Sequence, residues 1–408
     1  MEKIPPQPVP FDVKPKIPRG IYIIGLVSLF NDIATDMVIP IVPILLATTL
    51  GAGPWVLGLV EGIADAVASF LRLWAGRLSD ASGGQRKPLA IAGYTISNFA
   101  RPVLGLVTSW WQVVVLRAID RAGKGIRSAP RDALIVDLAP ASLRGVAFGI
   151  HRAFDNGGAV LGALIGAAII AVFHAGLSQI VLVSALPGFA AIFLLALGVS
   201  EPNAPRHGEK HKKVKLLPLA WRNISPPMQR YLLVLMLFTF ARMAETFIIL
   251  RAHELGASIV EALILWAVFN SVRVVANYWG GKLSDRYGKL HIMLRGWVIH
   301  CAAMFGFCLV TDIGSLWIAT LFFGLAAALT EGVERAVLGD HALLEERGTL
   351  FGWYYALIGF ASIPAGLFFG GLWTLYSASA AFAACGVVGL LSLALLYWWV
   401  APSLALHK

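Results

Sequence analysis

The heptapeptide Trp74-Ala-Gly-Arg-Leu-Ser-Asp80 recurs as Trp279-Gly-Gly-Lys-Leu-Ser-Asp285, an offset of 205 from residue 74 to residue 279. A second motif, Arg144-Gly-Val-Ala-Phe-Gly149, recurs as Arg347-Gly-Thr-Leu-Phe-Gly352, an offset of 203 from residue 144 to residue 347. Both offsets are close to half of the 408-residue chain. The sequence therefore predicts two halves of the same topology, arranged as a parallel repeat.

The composition indicates that the two halves lie in a membrane. Hydrophobic residues make up 58% of the chain, charged residues only 14%, and the mean hydropathy is +0.75. Soluble proteins carry about 25% charged residues, so these charges are too few to cover a soluble surface. About 20 apolar residues in a helix cross the hydrocarbon core. We therefore expect an all-α membrane protein with twelve transmembrane helices in two six-helix bundles.

The apolar runs give the boundaries of these bundles. Residues 1–19 are predicted to form a cytoplasmic N-terminal segment, 20–199 the first bundle, 200–228 a linker, 229–401 the second bundle and 402–408 a cytoplasmic tail. The first apolar run is too long for a cleaved signal peptide. The predicted helices span 20–48, 55–78, 88–108, 111–137, 145–173, 178–199, 229–252, 257–281, 290–311, 315–340, 348–374 and 378–400.

Two of these helices are expected to escape a purely hydropathic search. The fourth is heavily charged from Arg117 to Asp132, and the tenth contains Glu331, Glu334 and Arg335. We retain both helices because the repeat and the distribution of charge on the loops require them.

Basic residues are concentrated on alternate connections. The N-terminal segment and the loops after the even-numbered helices carry lysine and arginine, and 200–228 alone carries six. The other connections carry almost none, with Arg251 the main exception. The positive-inside rule then places both termini and the linker in the cytoplasm. The net charge of +10 is thus explained by orientation and not by nucleic-acid binding; a linker that binds lipid or nucleic acid is the alternative.

The repeated heptapeptide resembles a motif of the major facilitator superfamily, G-x-L-x-D-R-x-G-R-R, which follows the second helix. The second copy is nearly complete, whereas the first lacks the arginine after its aspartate. The resemblance implies a multi-pass transporter of the bacterial cytoplasmic (inner) membrane that works by alternating access. A simple turn with surface charges is the alternative. The residues that would form the cytoplasmic gate are Gly76, Asp80, Arg86, Gly281, Asp285 and Arg286.

The fifth helix resembles the glycine-rich helix of antiporters in that superfamily. Gly149, Gly158, Gly162 and Gly166 occupy matching positions, although alanine replaces the family's proline and last glycine. Small residues permit close helix packing. The resemblance implies export by antiport.

Charged residues inside the apolar helices are the candidates for a transport path, because ionisable groups in lipid are costly and normally face a cavity. Asp32 and Asp36 lie one turn apart on one face of the first helix, before Pro40 and Pro43, which are expected to kink it. Such a carboxylate pair suits a proton carrier. Anchoring of the helix end or a permanent salt bridge is the alternative.

The fourth helix carries a stripe of cations, and we expect the second half to mirror it with opposite sign. A basic first half facing an acidic tenth helix would form a switchable ion pair between the halves. A fixed ion-pair network near the cytoplasmic gate is the alternative. With Asp32 and Asp36, the candidate residues of the path are Arg117, Asp120, Arg121, His151, Arg152, Asp155, Arg242, Glu245, Asn270, Arg273, Glu331 and Glu334.

The sequence thus predicts a secondary transporter that acts as a monomer, with protons, a small-molecule solute and the lipid bilayer as its partners. Proton-coupled export resembling that of drug antiporters is favoured, with the proton on Asp32, Asp36, Asp120 or Glu331. Uptake of an anionic metabolite or a siderophore-like metal chelate, and a non-transporting membrane receptor, are the alternatives. No nucleotide loop, nucleophile constellation or metal-ligand cluster occurs in the sequence, so neither an enzyme nor a cofactor or metal is expected. Cys301, Cys308 and Cys385 are expected to be packing residues.

Overall fold

The computed structural model describes residues 17–81, 86–140, 143–200, 220–242, 244–341 and 347–405. Within these ranges the chain forms twelve long helical segments, α1 to α12, in two successive sets of six, as the sequence predicts. They are α1 (Arg19–Asp36, Ile41–Ile44 and Leu45–Thr49), α2 (Pro54–Ala81), α3 (Lys87–Val103), α4 (Trp110–Leu138), α5 (Arg144–Phe173), α6 (Leu177–Val183 and Ala185–Gly198), α7 (Pro226–Ala241 and Thr246–Glu254), α8 (Ile259–Tyr287), α9 (Lys289–Cys308), α10 (Ile313–His341), α11 (Arg347–Leu375) and α12 (Ala378–Leu395, Leu396–Val400 and Ala401–Ala405).

Nine helices in the described part of the chain are long and apolar enough to cross a membrane. Helix α4 is not among them, as its charge density predicts, but α10 is, so the expectation that hydropathy alone would miss α10 was wrong. Its charges follow Thr330, which leaves Ile313–Thr330 uncharged and long enough to span the hydrocarbon core.

Helix starts follow local sequence chemistry. Ser258 caps α8, because its hydroxyl accepts a hydrogen bond from the backbone N–H of Glu261, and the Glu261 carboxylate accepts one from the N–H of Ser258. At the start of α4, the Gln112 side chain accepts a hydrogen bond from the N–H of Ser109. These caps satisfy amide groups that have no partner within the first helical turn.

The first helix of each half is interrupted. Helix α1 breaks at Met37–Pro40, which includes the first of the two prolines expected to kink it, and resumes at Ile41. Helix α7 breaks after Ala241, where Arg242 adopts an extended backbone, and resumes at Thr246. The prediction of a continuous seventh helix was therefore wrong. The break could not be expected from the sequence, because no proline occurs there.

The apolar core divides into three clusters that distinguish the two ends of the molecule. We call the end where α6 stops at Gly198 and α7 starts at Pro226 the linker end, and the opposite end the far end. At the linker end each bundle has its own core, around Tyr94 in the first bundle and around Trp297 in the second. At the far end one shared core joins residues of both bundles, including Ile41, Val60 and Phe369.

The bundles meet chiefly through α2 against α11 and α5 against α8. A Cβ on Gly58 of α2 would lie 2.0 Å from the carbonyl oxygen of Gly366 in α11, and one on Gly366 would lie 2.1 Å from that of Gly58. Only glycine permits this approach of two backbones. The α2–α11 crossing is therefore a direct backbone contact between the halves in the far-end part of the molecule.

The predicted packing glycines of α5 divide into two groups. A Cβ on Gly158 or Gly162 would lie 2.5 Å from the carbonyl oxygen of Leu29 or Ile33, so these two glycines pack α5 tightly against α1. A Cβ added at Gly149 would have nothing within 4 Å, and one added at Gly166 would make only ordinary contacts. The expectation that Gly149 packs against a neighbouring helix was wrong.

The three cysteines lie within the helices of the second half. Cys301, Cys308 and Cys385 are free thiols, and Cys301 and Cys385 are buried. Their side chains pack among apolar neighbours of α9 and α12, as expected of small packing residues.

Candidate functional site

Three connected chambers lie between the bundles. A central cavity of about 360 Å³ is lined by α1, α2, α4 and α5 of the first half and α7, α8, α9 and α10 of the second. A vestibule of about 470 Å³ extends from it along the linker-end parts of α2, α4, α5, α10 and α11. A side chamber of about 250 Å³ lies between α2, α4, α7 and α11. The vestibule leads from the central cavity towards the linker end, whereas the side chamber reaches the shared core at Phe247 and Phe369.

The central cavity gathers half of the predicted path residues. The other predicted residues lie in the vestibule, lie buried behind the cavity wall or, for Glu331, have side chains outside the described part of the structure. The predicted residues that line the cavity are Asp32, Asp36, Arg121, Arg242, Glu245, Asn270 and Arg273.

A buried ion-pair network forms the wall of the cavity on α2 and α4. The Arg117 guanidinium donates two hydrogen bonds to the Glu61 carboxylate, at 2.8 and 3.0 Å. Arg121 also lies 3.7 Å from Glu61. Arg117 is 1% exposed and Glu61 4%. Both bonds come from the same nitrogen, Nη2 of Arg117. Hydrogen bonds between two charged groups are short and strong, so this contact holds Glu61 in position.

A second layer of polar groups lies behind Glu61. Asp120 pairs with Arg101 of α3 at 2.9 Å and with Arg117 at 3.5 Å. Arg101 also donates to the side-chain oxygen of Asn98, which in turn donates to Asn31 of α1. Asp120 therefore joins three helices within one bundle. Arg117 and Asp120, predicted to handle substrate or proton, are held in this network and do not line the cavity.

The two carboxylates of α1 have different surroundings. Asp36 accepts a hydrogen bond of 2.8 Å from the indole N–H of Trp266 in α8, so it bridges the two bundles. Asp32 accepts one of 2.9 Å from Asn31 and lies beside Asp155 and Lys124. Asp32 lines both the central cavity and the vestibule.

The second half pairs its charges internally. Arg242, in the break of α7, lies 2.5 Å from Glu334 of α10, and Arg273 lies 2.9 Å from Glu245. Arg242 also lies over the ring of Phe238. The expectation that acidic residues of α10 face the basic first half was wrong for Glu334, because this residue is buried against its own bundle.

The vestibule is strongly basic. His151 shares a 2.8 Å hydrogen bond with Ser28, and Arg131 pairs with Asp132 at 2.9 Å and approaches Asp155 at 3.9 Å. The cations around it outnumber these two carboxylates and Asp32; they are Arg72, Lys124, Arg127, Arg131, Arg152 and Arg335. The vestibule thus presents a positive field to anything that enters from the linker end.

The predicted gate residues are described only in part, since the side chains of Asp80 and Asp285 lie outside the described residues. Arg86 pairs with Asp137 and donates to the carbonyl oxygen of Ala133 at 2.7 Å, which ties the start of α3 to the end of α4 in its own bundle. The Arg286 guanidinium lies over the ring of Tyr287.

The two gate glycines differ in their neighbours. A Cβ added at Gly76 would lie 3.5 Å from the Cβ of Ala129, which is an ordinary contact between α2 and α4. A Cβ added at Gly281 would have no neighbour within 4 Å.

Several residues of the site were missed from the sequence. Glu61 and Asp65 lie one turn apart in a largely apolar stretch of α2, the same pattern that identified Asp32 and Asp36. Arg101 is the one charged residue of α3 after its first residue, Lys87. The repeat offset of 205 also relates Glu61 to Trp266 and Asp65 to Asn270. The predicted residue Asn270 could therefore have pointed to Asp65, at the equivalent position of the first half.

Comparison with known proteins agrees with this architecture. Residues 24–330 and 232–407 match the family model of the Major Facilitator Superfamily. An uncharacterised MFS-type transporter of Methanocaldococcus jannaschii is 31% identical over 364 residues, which cover 88% of this chain and 89% of the relative. The multidrug resistance protein MdtH of Yersinia pestis is 24% identical over 391 residues, covering 93% of this chain and 94% of MdtH.

Solved structures show the same fold. The crystal structure of a bacterial homologue of the human lysosomal transporter Spinster, in an inward-facing and occupied conformation, aligns with a TM-score of 0.71. The alignment covers 92% of this chain and 95% of the homologue, at 16% sequence identity. A likeness at this identity concerns the fold alone.

Proposed function

The chain belongs to the Major Facilitator Superfamily, and from this premise we propose that it is a proton-coupled secondary transporter that exports a small polar solute by alternating access. The cavity between the halves supports transport, because it lies between the repeats, where transporters of this architecture bind their substrates. The shared far-end core and the separate linker-end cores favour a state open towards the linker end.

The proposed direction, export, is supported by the charge on the loops and by the vestibule. By the positive-inside rule the basic linker and loops favour a cytoplasmic linker end, and in that orientation this is the inward-facing state of a protein in the cytoplasmic membrane. A basic vestibule at that end would collect an anionic group from the cytoplasm. The distant likeness to a multidrug resistance protein also favours export, but the charged lining favours a polar solute over an apolar drug.

The position of Asp32 is the observation that supports proton coupling. Of the four carboxylates predicted as proton carriers, Asp120 is held by two arginines and Asp36 by Trp266, and the Glu331 side chain is outside the described residues. Asp32 instead faces both chambers and another carboxylate, Asp155. Adjacent carboxylates readily hold one proton between them, because two negative charges repel. We therefore assign the proton to Asp32, with Asp155 as its partner.

The test uses purified protein in liposomes. A thermal-shift screen of organic acids, zwitterions, cationic drugs and metal chelates first supplies a transported compound. The Asp32→Asn variant should lose transport driven by a proton gradient, at least tenfold, and keep counterflow exchange, which needs no net proton movement. The solute-dependent proton flux, followed with a pH dye inside the liposomes, should disappear in parallel.

The matched control is Asp340→Asn, which removes a carboxylate paired with Lys289 on the linker-end surface. This control should transport normally. Unchanged gradient-driven transport in Asp32→Asn would contradict the assignment of the proton to Asp32. Inward movement of the solute down the proton gradient would instead support the uptake of an anionic metabolite.

A further inference from the structure

The charges that line the central cavity are unequally paired. Glu61 is bound by Arg117 and Arg121, Asp36 by Trp266, Arg242 by Glu334 and Arg273 by Glu245. Asp32 accepts a hydrogen bond from Asn31. Two charges remain. Within the described part of the chain, neither the Asp65 carboxylate nor the Lys124 ammonium forms a hydrogen bond or an ion pair within 4.0 Å.

These two charges flank the same helix crossing. A Cβ on Gly125 would lie 2.7 Å from the carbonyl oxygen of Ala68, so α2 and α4 touch at this point. Lys124 is adjacent to Gly125, and Asp65 is about one turn from Ala68. Both side chains line the central cavity and the side chamber.

Lys124 has a further distinction. Among the described residues it is the one that lines all three chambers, so it stands where the vestibule opens into the central cavity. The arginines of the vestibule lead to it from the linker end. An anionic group that enters the vestibule therefore meets Lys124 as it reaches the cavity.

We propose that the transported solute is a small zwitterion whose anionic group binds Lys124 and whose cationic group binds Asp65. The Asp65 side chain is exposed to the cavity and Lys124 is half-buried, so a solute can reach both charges, and a zwitterion compensates both at once. A solute with a single charge leaves one of the two uncompensated. Trp266 and Phe323 line the same cavity and would pack against the carbon chain between the charged groups. The cavity volume of about 360 Å³ lies at the lower end of the range of ligand pockets and admits a small organic solute.

This inference rests on the proposed function, and binding measurements separate the two. Full-length protein is titrated with γ-aminobutyrate, β-alanine and taurine as zwitterions, and with propylamine and butyrate as singly charged probes. Intrinsic tryptophan fluorescence and thermal shift report binding. We expect at least one zwitterion to bind tenfold or more tightly than either singly charged probe.

Binding of the same probes to two variants tests the role of each charge. Lys124→Gln should weaken zwitterion binding at least tenfold and make propylamine bind about as well as the zwitterion. Asp65→Asn should have the mirror effect, with butyrate equal to the zwitterion. If either residue had only a structural role, its substitution would weaken the binding of all probes alike. Lys289→Gln, which removes a surface lysine paired with Asp340, should bind as the unmodified protein does.

Three results would overturn the proposal: equal affinity of the unmodified protein for singly charged probes, binding of none of the zwitterions, or retained discrimination in both variants. If transport of another solute persists in any of these cases, the substrate class alone has failed. If zwitterions bind with the expected discrimination but no probe crosses the bilayer, the proposed transport function has failed and the binding site stands.

Discussion

The two ends of this molecule differ in how the two bundles contact each other. At the far end, residues of both bundles share one apolar core, and glycines bring the backbones of α2 and α11 into contact. At the linker end, each bundle closes its own core, and a basic vestibule separates them. The central cavity lies between these regions. The comparison indicates that one end holds the halves together while the other is free to be filled by solute and water.

The difference also shows where conformational change would act. Opening the far end requires separation of the α2–α11 contact and of the Asp36–Trp266 hydrogen bond, which are contacts between bundles. The ion pairs of Glu61 with Arg117 and of Arg242 with Glu334 lie within single bundles and would move as parts of rigid bodies. Ion pairs within a bundle should therefore control stability, and contacts between bundles should control the balance of states.

The largest effect is expected from Glu61→Gln. Glu61→Gln leaves Arg117 with only its 3.5 Å contact to Asp120, which Arg101 also holds, and breaking a buried ion pair typically costs about 3–5 kcal/mol. Thermal unfolding in detergent should show a large drop in melting temperature. The matched change at the linker end, Asp340→Asn, breaks a surface pair with Lys289 and should cost less than about 1 kcal/mol. Equal losses of stability in the two variants would contradict the view that the buried pair of Glu61 stabilises the fold more than the surface pair of Asp340.

A smaller effect, of about 3 kcal/mol, is expected on the far-end seal from Gly58→Ala. The new methyl group would overlap the carbonyl oxygen of Gly366, and overpacking against backbone is relieved only by separating the helices. A reporter is available at Val60 of α2, which is 0% exposed in the shared far-end core. In a variant without native cysteines, Val60→Cys should be labelled much faster from the far side when Gly58→Ala is present.

The control for this change is Gly371→Ala in α11, because a Cβ at Gly371 has no atom within 4 Å. Labelling in this control should match the parent protein. Slow labelling in both variants would show that the glycine contact does not hold the far end closed.

The smallest effect is expected from Trp266→Phe. The ring keeps the apolar packing but loses the hydrogen bond to Asp36, and a bond to a charged group contributes about 1.5 kcal/mol or more. The populations of the two states should shift by roughly tenfold, measured as the distance between spin labels placed on far-end loops of the two halves. The melting temperature should change little. A large loss of stability with no shift in the distances would place this bond among the structural contacts.

The sequence shows which charged residues lie inside the helices, but it does not show which partners they bind. Asp32 and Asp36 form one pattern, two carboxylates a turn apart, yet one bonds across the bundle interface and the other lies beside Asp155. Glu61 and Asp65 repeat that pattern in α2, and again one is fixed by arginine while the other faces the chamber. Spacing along a helix states which side chains share a face. It carries no information about which neighbouring helix that face meets.

Hydropathy, the internal repeat and the charge on the loops, which are all properties of the chain read in order, determined that this protein has twelve helices in two equivalent halves. Only the tertiary structure decided that Glu61 pairs with Arg117, that Glu334 pairs within its own bundle, that α7 is broken at Arg242, and that the far end is the sealed one. The physical reason is that lipid exposure constrains each helix separately, whereas ion pairs, cavities and backbone contacts arise between helices distant in sequence.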